Sequence, residues 1–374
     1  MIFLNNSVRL CCPCHFGLES VLKYEIQKIG GTDLKVSDGR ISFTGDENIV
    51  ARANLCLSTA ERVLIELIEF KATSFEELFQ GVKAIELERY IGPQNAFPVK
   101  GDSLNSALHS VPDCQSIIKK AAVERLKSKY NISWFDETGP TVQISFRIFK
   151  DVVSIYLDTS GVGLHKRGYR RNSNAAPIKE TLAAGIVDLA RVRPDTIVCD
   201  PFCGSGTLLI ESALKALNIA PGLNRRFAAE KWECFDSRIW QEERKRAIDN
   251  VDKSAQFHAI GFDIDDAAVA LTLDNAHKAG IKSRLKIEQA DITKFVQPED
   301  SIVICNPPYG ERLLELREAE NIYRKMGRVL GKGGSRQSYI ISAHEQFEKF
   351  FGTEARKRRK LYNGMIKCQL YMYF

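Results

Sequence analysis

Long apolar runs are absent from this sequence of 374 residues, and their absence excludes a membrane-spanning helix. A helix needs about 18 consecutive apolar residues to cross a bilayer, and no run approaches that length. The first five residues also lack the basic start and the long apolar core of a secretory signal peptide. We therefore expect a cytoplasmic protein that does not interact with a membrane.

Paired metal-binding motifs are also missing, although the sequence contains 10 cysteines. No two C-x-x-C motifs occur together with partner histidines, as a structural zinc site would require. Several cysteines, such as Cys199 and Cys305, lie in apolar stretches instead. We expect no metal and no disulfide framework, but reduced and mostly buried thiols, which fits a cytoplasmic location.

Size and charge indicate a globular protein with two or three domains. The net charge of +6 is modest, but the cations concentrate in two basic clusters, at residues 165–171 and 356–360. A solvated face would explain either cluster. In the first, tyrosine and glycine alternate with the cations, which favours contact with phosphates and bases. The residues predicted to make that contact are Lys166, Arg167, Tyr169 and Arg170.

The first 70 residues alternate between strand and helix patterns in the order β-α-β-β-α-β. This order is typical of a ferredoxin-like unit. Asp46 is a predicted N-cap because it directly precedes the second helical pattern. The predicted elements are strands at 8–12, 34–37, 40–44 and 62–68, and helices at 17–29 and from 46 to 57.

Residues 71–160 contain no clustered histidines and no paired carboxylates in a glycine-rich loop, so this part is predicted to be a binding module. Ser74 is expected to cap its first helix, because Glu76 and Glu77 follow in the first turn. The other predicted elements are a strand at 97–101, a helix at 113–130 and strands at 141–149 and 152–159.

After Gly161 strands and helices alternate, which predicts a doubly wound, mainly parallel sheet. A segment at 218–251 interrupts the alternation. The last two strands suit an antiparallel pair at the sheet edge. The predicted strands are 195–200, 259–263, 285–289, 301–305, 339–342, 360–362 and 365–374, and the predicted helices are 177–191, 208–217, 267–280 and 319–330.

The tetrapeptide Asn306-Pro307-Pro308-Tyr309 directly follows a short apolar strand pattern. Open α/β sheets bind ligands at the carboxyl ends of their strands. The amide oxygen of Asn306 and the backbone carbonyl of Pro307 can each accept a hydrogen from an exocyclic amino group, and the prolines keep the turn rigid. Tyr309 offers a flat face to a base taken out of its stack. We predict that Asn306, Pro307 and Tyr309 are catalytic; a polar turn that merely ends the strand is the alternative.

A glycine loop follows the strand that ends at Asp200, and it differs from the known phosphate-binding loops. It lacks the Lys-Ser/Thr pair of a Walker A loop and the third glycine of the dinucleotide fingerprint, and its leading acid suits a cationic ligand. Asp263, at the next strand end, suits two ribose hydroxyls. Asp291, one strand further, suits an adenine amino group. Together with Asn306, these positions predict an S-adenosylmethionine site with contacts from Asp200, Pro201, Gly204, Gly206, Thr207, Asp263, Ile264, Asp291, Ile292 and Asn306.

These motifs resemble class I methyltransferases that act on the N2 atom of guanine in RNA. The resemblance lies in the Asp200 loop, residues 261–265, Asp291 and residues 306–313. Residues 165–170, 176–182 and 218–225 are similar to the bacterial 23S rRNA guanine-N2 methyltransferase group in particular. Some members carry a second methyltransferase unit, and none follows Phe374 here, so one activity is expected.

The resemblance implies an N-terminal ferredoxin-like domain at 1–70, a THUMP RNA-binding domain at 71–160 and a Rossmann-like, seven-stranded class I methyltransferase domain at 161–374. It also implies S-adenosylmethionine as the cofactor, 23S rRNA as the substrate and N2-methylguanosine as the product. The predicted contacts of the first basic cluster would then be contacts with RNA.

Three other functions remain open from the sequence. A tRNA guanine-N2 methyltransferase is the runner-up, because related members of the THUMP group modify tRNA. A DNA adenine-N6 methyltransferase would share the tetrapeptide but would not need the N-terminal modules. A catalytically idle RNA-binding protein is disfavoured, because Asn306 and the three acids are all intact.

Overall fold

The computed structural model describes residues 7–170, 178–310, 313–331 and 337–374. These residues form two compact units that are not contiguous in the sequence. The first unit takes its residues from Met1–Pro13, Glu25–Leu164 and Arg226–Arg246. The second takes its residues from Cys14–Tyr24, His165–Arg225 and Ala247–Phe374. The units therefore do not coincide with the linear boundaries expected from the sequence.

The predicted β-α-β-β-α-β order of the N-terminal part is confirmed. Asp46 caps the second helix, because its side chain accepts a hydrogen bond from the Ile49 N–H at 2.8 Å. The observed elements are β1 Val8–Pro13, α1 Glu19–Ile29, β2 Thr32–Ser37, β3 Arg40–Gly45, α2 Glu47–Cys56 and β4 Leu64–Lys71.

The next part adds three strands to the same sheet. Ser74 caps its first helix through a capping box with Glu77, as the sequence predicted. The elements are α3 Phe75–Lys83, β5 Val99–Leu104, α4 Val111–Tyr130, β6 Ile144–Phe149 and β7 Val152–Asp158. Strands β4 and β7 pair in an antiparallel ladder from Leu64↔Asp158 to Lys71↔Val152. One seven-stranded sheet with the order β2-β3-β1-β4-β7-β6-β5 therefore runs through both modules.

The central part of the segment that interrupts the later alternation, Arg226–Arg246, belongs to the first unit. The Trp232 indole N–H donates a hydrogen bond to the Thr141 carbonyl at 2.9 Å. Arg52 and Glu243 form a bidentate pair, with N···O distances of 2.8 and 2.6 Å. Both charges are mostly buried, so this pair is much stronger than an exposed one.

The second unit is built on a sheet with the order β10-β9-β8-β11-β12-β14-β13. Strands β10, β9, β8, β11 and β12 are parallel, and β14 and β13 are antiparallel to their neighbours, as predicted. The strands are β8 Ile197–Asp200, β9 His258–Asp263, β10 Leu285–Gln289, β11 Ser301–Cys305, β12 Gln337–Ser342, β13 Lys357–Asn363 and β14 Ile366–Tyr373. The helices of this unit are α5 Glu180–Leu189, α6 Thr207–Ala216, α8 Asp266–Lys278, α9 Leu313–Leu330 and α10 Phe347–Phe351, whereas most of α7, Ser237–Asp249, belongs to the first unit.

Two helices differ from the prediction. Helix α9 begins at Leu313 instead of Ala319, because its first turns carry alternating charges that hide the apolar period. Helix α10, of five residues, was not predicted at all. A helix this short shows little periodicity in the sequence. The predicted helix start at Pro177 lies outside the described residues.

The chain segment before α1 belongs to the core of the second unit. Leu18 is fully buried in the apolar cluster that also contains residues of α5 and α6. Gly185 in α5 makes room for it, because a Cβ atom there would lie 2.2 Å from the Leu18 Cδ1 atom. The side chain of Arg359 donates a hydrogen bond to the Gly17 carbonyl at 2.8 Å. This holds the loop that precedes α1 against β13.

All 10 cysteines lie among the described residues; nine are buried and none is part of a disulfide. Across the residues that the structure describes, no helix combines the length and apolar character needed to span a membrane. The same residues contain no group of three His, Cys, Asp or Glu side chains placed to hold a metal ion.

Candidate active site

The carboxyl ends of four parallel strands meet at one edge of the second sheet and surround a pocket of about 460 Å³. Parallel strands necessarily bring their carboxyl ends to the same edge. The structure thus brings together Asp200 from β8, Asp263 from β9, Asp291 after β10 and Asn306 after β11. All other predicted cofactor and catalytic residues except Gly206 also line this pocket: Pro201, Gly204, Thr207, Ile264, Ile292, Pro307 and Tyr309.

The sequence analysis missed part of the pocket wall. Phe202 was the easiest to foresee, since it is an aromatic residue inside the glycine loop. Ile178 and Ile322 could not be recognised as pocket residues from the local sequence, because they lie well outside the strand-end motifs that predicted the pocket. The residues not predicted are Ile178, Phe202, Cys203, Ser205, Leu208, Ala290, Pro308 and Ile322.

The glycine loop is held open by hydrogen bonds from neighbouring elements. The Gly204 N–H donates to the Asp263 carboxylate at 2.9 Å, and the Thr272 hydroxyl donates to the Gly204 carbonyl at 2.8 Å. Gly206 has a φ of +77°, and a Cβ atom there would lie 2.7 Å from the Thr272 side chain. Gly206 therefore shapes the loop and does not line the pocket.

Asp263 connects the loop to the end of β9. One carboxylate oxygen accepts the Gly204 N–H, and the other accepts the Asp265 N–H at 3.0 Å. Each carboxylate oxygen has a second lone pair. The side chain can therefore fix the loop and still accept the two ribose hydroxyls predicted from the sequence.

Asp200 is 1% exposed, and its carboxylate accepts a hydrogen bond from the Phe202 N–H at 3.0 Å. The pKa of Asp200 is raised to about 8, mainly by burial; the hydrogen bond from Phe202 opposes this rise and the nearby Asp263 adds to it. A cation placed in the pocket favours the ionised form of this group.

Asp291 makes contacts that the sequence did not indicate. Its Oδ1 atom accepts hydrogen bonds from the Thr293 N–H at 2.9 Å and from the Thr293 hydroxyl at 2.7 Å. Lys325 lies 3.3 Å from its Oδ2 atom. The bonds from Thr293 and the charge of Lys325 lower the pKa of Asp291, so it is a fixed carboxylate at the pocket wall. Its predicted contact with an adenine amino group stays a prediction.

The tetrapeptide Asn306-Pro307-Pro308-Tyr309 is held by two tyrosine hydroxyls. The Tyr309 hydroxyl donates a short hydrogen bond to the Asn306 Oδ1 atom, which is the acceptor predicted for the target amine. The Tyr323 hydroxyl, from α9, donates to the Pro308 carbonyl at 2.8 Å. Burial raises the pKa of Tyr309 above its ordinary value, so its hydroxyl remains a proton donor. The Asn306 Oδ1 atom has a second lone pair, which can accept a further hydrogen while Tyr309 stays bound.

The structure corrects two of the predicted nucleic-acid contacts in the first basic cluster. Arg167 and Tyr169 are buried, with 4% and 3% of their surface exposed. The Tyr169 hydroxyl donates to the Glu211 carboxylate at 2.9 Å, and the Arg167 Nε atom lies 3.6 Å from the same oxygen. Both side chains therefore interact with the buried carboxylate of Glu211 and are not placed to contact an RNA backbone.

Arg170 also forms hydrogen bonds within the protein. Its guanidinium donates to Glu180 at 3.0 Å and to the Thr207 hydroxyl at 3.1 Å, so it supports the glycine loop from behind. Of the four predicted contacts only Lys166 is exposed. Arg171 lies outside the described residues.

Comparison with known proteins agrees with the order of the domains. Three family models match the chain: an RlmL ferredoxin-like domain at residues 9–64, a THUMP domain at 72–158, and an RMKL-like methyltransferase domain at 167–372. The "Putative RNA methyltransferase YpsC" of Bacillus subtilis (strain 168) is 41% identical over 369 residues, which is 98% of this chain and 95% of that protein.

Two solved structures are similar over nearly the whole chain. One is a "predicted N6-adenine-specific DNA methylase" from Listeria monocytogenes str. 4b F2365, with 42% identity, 99% of this chain and 96% of that chain covered, and a TM-score of 0.93. The other is SMU.472, a methyltransferase complexed with SAH, with 38% identity, 99% and 98% covered, and a TM-score of 0.93.

The sheet order, the loop after β8 and the acids at the following strand ends define a class I methyltransferase that uses S-adenosylmethionine. The chain belongs to the RMKL-like methyltransferase family, with the ferredoxin-like and THUMP domains on its N-terminal side.

The pKa of Asp200 leads to a prediction about pH. Below about pH 8 the carboxyl is protonated in the free protein, and the cationic cofactor favours its ionised form. We expect the affinity for S-adenosylmethionine to rise with pH up to that value, with release of up to one proton. Calorimetry in buffers of different ionisation enthalpy measures this proton. Asp200→Asn should abolish the pH dependence, and an unchanged profile in that variant would contradict the assignment.

The raised pKa of Asp200 also affects the stability of the fold, and this effect weakens with rising pH, whereas the cofactor affinity increases. The folded state retains a proton that an unfolded Asp has already lost above its ordinary pKa of 3.8. The contribution of Asp200 to the free energy of unfolding therefore decreases as the pH rises from about 4 to about 8.

The Tyr309 contact leads to a prediction that separates ring from hydroxyl. Tyr309→Phe keeps the ring and removes only the hydrogen bond to the Asn306 amide oxygen. We expect it to retain turnover because the flat face is intact, with KM for the substrate changed by no more than about tenfold. Tyr309→Ala should lower turnover, because the flat face is lost. If both variants were equally inactive in steady-state assays, the hydroxyl itself would be required.

Proposed function

We propose that this chain methylates the exocyclic N2 amine of a guanine in 23S rRNA, forming N2-methylguanosine. The observation that carries the proposal is the position of the Asn306 amide oxygen at the same pocket as the cofactor loop. A fixed acceptor there can bind an amine hydrogen and orient the nitrogen lone pair toward a methyl donor. The THUMP domain and the RNA methyltransferase name of the Bacillus subtilis relative support RNA as the substrate.

The residues at the pocket supply binding and orientation. The Asn306 Oδ1 atom accepts one amine hydrogen through the lone pair that Tyr309 does not use, and the Pro307 carbonyl is the proposed second acceptor. The cofactor supplies an activated methyl group when bound. Asp263 orients it through the ribose hydroxyls, and Gly204 lets the backbone approach it closely. No covalent enzyme intermediate is needed, since the methyl group can pass directly to the nitrogen.

Two other substrates fit the same pocket. A tRNA guanine is the first alternative, because THUMP-type modules do not by themselves select one class of RNA. A DNA adenine is the second, and the name of the Listeria structure favours it. The ferredoxin-like and THUMP domains weigh against DNA, since a DNA adenine methyltransferase would not need them.

Radiolabelled methyl transfer to separate nucleic acids tests the proposal. The wild-type chain and Asn306→Ala are each incubated with naked 23S rRNA, bulk tRNA and duplex DNA. Incorporation into 23S rRNA by the wild-type chain alone, recovered as N2-methylguanosine by mass spectrometry, is the expected result. Labelling confined to tRNA would overturn the rRNA assignment, and labelling of DNA alone would overturn RNA as the substrate.

A further inference from the structure

The hairpin formed by β13 and β14 extends past the carboxyl edge of the second sheet. Strand β12 ends at Ser342, which pairs with Gln369 of β14. From there β14 and β13 remain paired back to Ile366 and Asn363. Three further residues at about 3.3 Å each place the hairpin end about 10 Å beyond β12. Because β11 is parallel to β12, this is the edge that carries Asn306.

The same hairpin contacts the catalytic tetrapeptide. The Cys368 Sγ atom lies 4.0 Å from the Tyr309 hydroxyl. The Tyr309 ring packs against the apolar cluster that contains Leu361 and Cys368. A polynucleotide that delivers a base to Asn306 must therefore pass the exposed side of this hairpin.

That exposed side carries aromatic rings and cations. Phe16 is 51% exposed, and its ring meets Tyr362 of β13 edge to face, with centroids 6.2 Å apart. The Lys360 ammonium lies 5.3 Å from the Tyr362 ring centroid. Lys367, which pairs with Tyr362 across the hairpin, is exposed as well.

The Phe16 loop is fixed in place beside β13. Gly17 has a φ of +87°, and a Cβ atom there would lie 2.7 Å from the Lys360 carbonyl. Arg359 binds the Gly17 carbonyl at 2.8 Å. A large aromatic side chain is therefore held half in solvent by a rigid loop, although burying it elsewhere would be favourable.

We propose that Phe16 is the stacking platform for a nucleotide next to the target guanine, and that Lys360 and Lys367 bind its phosphates. This rests on the proposed action on RNA. A base taken out of its stack leaves its neighbours unstacked, and single-stranded nucleic acid is bound by aromatic faces flanked by cations. Tyr362 is a positioning residue that sets the orientation of the Phe16 ring.

The first test compares three substitutions of Phe16 with the RNA that the wild-type chain methylates. Phe16→Ala should raise KM for that RNA about five- to a hundredfold. Phe16→Leu should lose as much, because leucine is apolar but has no flat face, whereas Phe16→Tyr should behave as wild type. Affinity for S-adenosylmethionine should not change in any of them, which shows that the second unit is folded. A Phe16→Leu variant with wild-type KM would overturn the stacking role.

The second test addresses the phosphates. Each lysine that contacts a phosphate contributes about 0.7 to the slope of log affinity against log salt for a single strand. Lys360→Gln with Lys367→Gln should therefore reduce that slope by about 1.4 in all. The matched control is Lys282→Gln with Lys286→Gln, two lysines near the opposite edge of the sheet, which should leave the slope unchanged. Equal slopes in the hairpin variant and wild type would overturn the phosphate contacts.

Failure of the proposed function is distinguishable from failure of this surface. If the wild-type chain methylates no RNA, the proposed function fails, and the surface is judged by fluorescence anisotropy with a short labelled single-stranded RNA. Binding weakened by Phe16→Ala and Phe16→Leu but not by Phe16→Tyr would support the platform. Equal binding by all variants would overturn it.

Discussion

Asn306→Ala should abolish methyl transfer while the chain still binds S-adenosylmethionine. The amide oxygen is the proposed acceptor for the target amine, and its interaction with that amine strengthens as the nitrogen attacks. Loss of an interaction that is made in the transition state lowers kcat and kcat/KM together. Removing one preorganised polar partner of this kind costs about a hundredfold to a thousandfold in rate.

Single-turnover methylation and calorimetric cofactor titration measure the two halves of that prediction. Asn306→Asp is the informative companion, since it keeps an acceptor of nearly the same shape but adds a charge. Tyr309→Phe serves as the control for the hydroxyl that occupies Asn306 in the structure. A fully active Asn306→Ala would show that the amine is oriented by other groups.

Asp263→Ala should weaken cofactor binding by more than tenfold. The substitution removes the acceptor for the ribose hydroxyls and also releases the Gly204 N–H, which holds the glycine loop. Hydrogen bonds to charged groups contribute about 1.5–3 kcal/mol each. The free energy lost with two such bonds therefore exceeds the roughly 1.4 kcal/mol that corresponds to a tenfold change in affinity.

Asp274→Asn is the matched control for this prediction. Asp274 is an exposed carboxylate of α8, and it pairs with Lys278 outside the pocket. Its replacement should leave calorimetric affinity unchanged. Wild-type affinity in Asp263→Ala would remove Asp263 from the cofactor site, whereas a loss in both variants would indicate a general effect of charge.

Strands β10 and β11 could be predicted to the residue, because each is a short strand pattern followed at once by a polar or proline signal. The pocket could be predicted from the same feature. Each of the three predicted acids and Asn306 lies at the end of a parallel strand or within two residues after it, and the topology of such sheets decides where strand ends meet. At these positions the local sequence alone therefore indicates which side chains meet at the pocket.

The contacts of the tetrapeptide could not be predicted. Tyr323 has the spacing of a core residue of α9, and nothing local indicates that its hydroxyl reaches Pro308. Likewise, the sequence offered Asn306 and Tyr309 as separate contributors to substrate binding. Only the three-dimensional arrangement shows that the Tyr309 hydroxyl donates a hydrogen bond to the Asn306 amide oxygen.

The first basic cluster shows why charge patterns mislead. Arg167 and Tyr169 are residue types that are common on nucleic-acid-binding surfaces. In this protein both contact a single acid, Glu211, which lies more than 40 positions further along the chain. A buried acid of this kind must be paired, since an isolated charge inside a protein is very costly. Sequence spacing does not reveal which distant carboxylate a cation will meet.

The unit boundaries also depend on distant contacts. The sequence suggested that a chain starting near Gly161 would hold a complete methyltransferase domain. Leu18, however, fills space over Gly185 in that domain, and Cys14–Tyr24 belongs to the second unit. Such a truncated chain would lose part of its core, so the role of the N-terminal domains is better tested by point substitutions.

The continuous sheet of the first unit makes the ferredoxin-like and THUMP domains mechanically one body, although family models divide them. The ladder between β4 and β7 crosses the division with antiparallel backbone hydrogen bonds along its length. A pulling force applied to one domain would load that ladder in shear instead of stretching a flexible linker. Removal of either domain would leave an exposed strand edge, which invites aggregation. The two domains are therefore expected to be inherited and to unfold together.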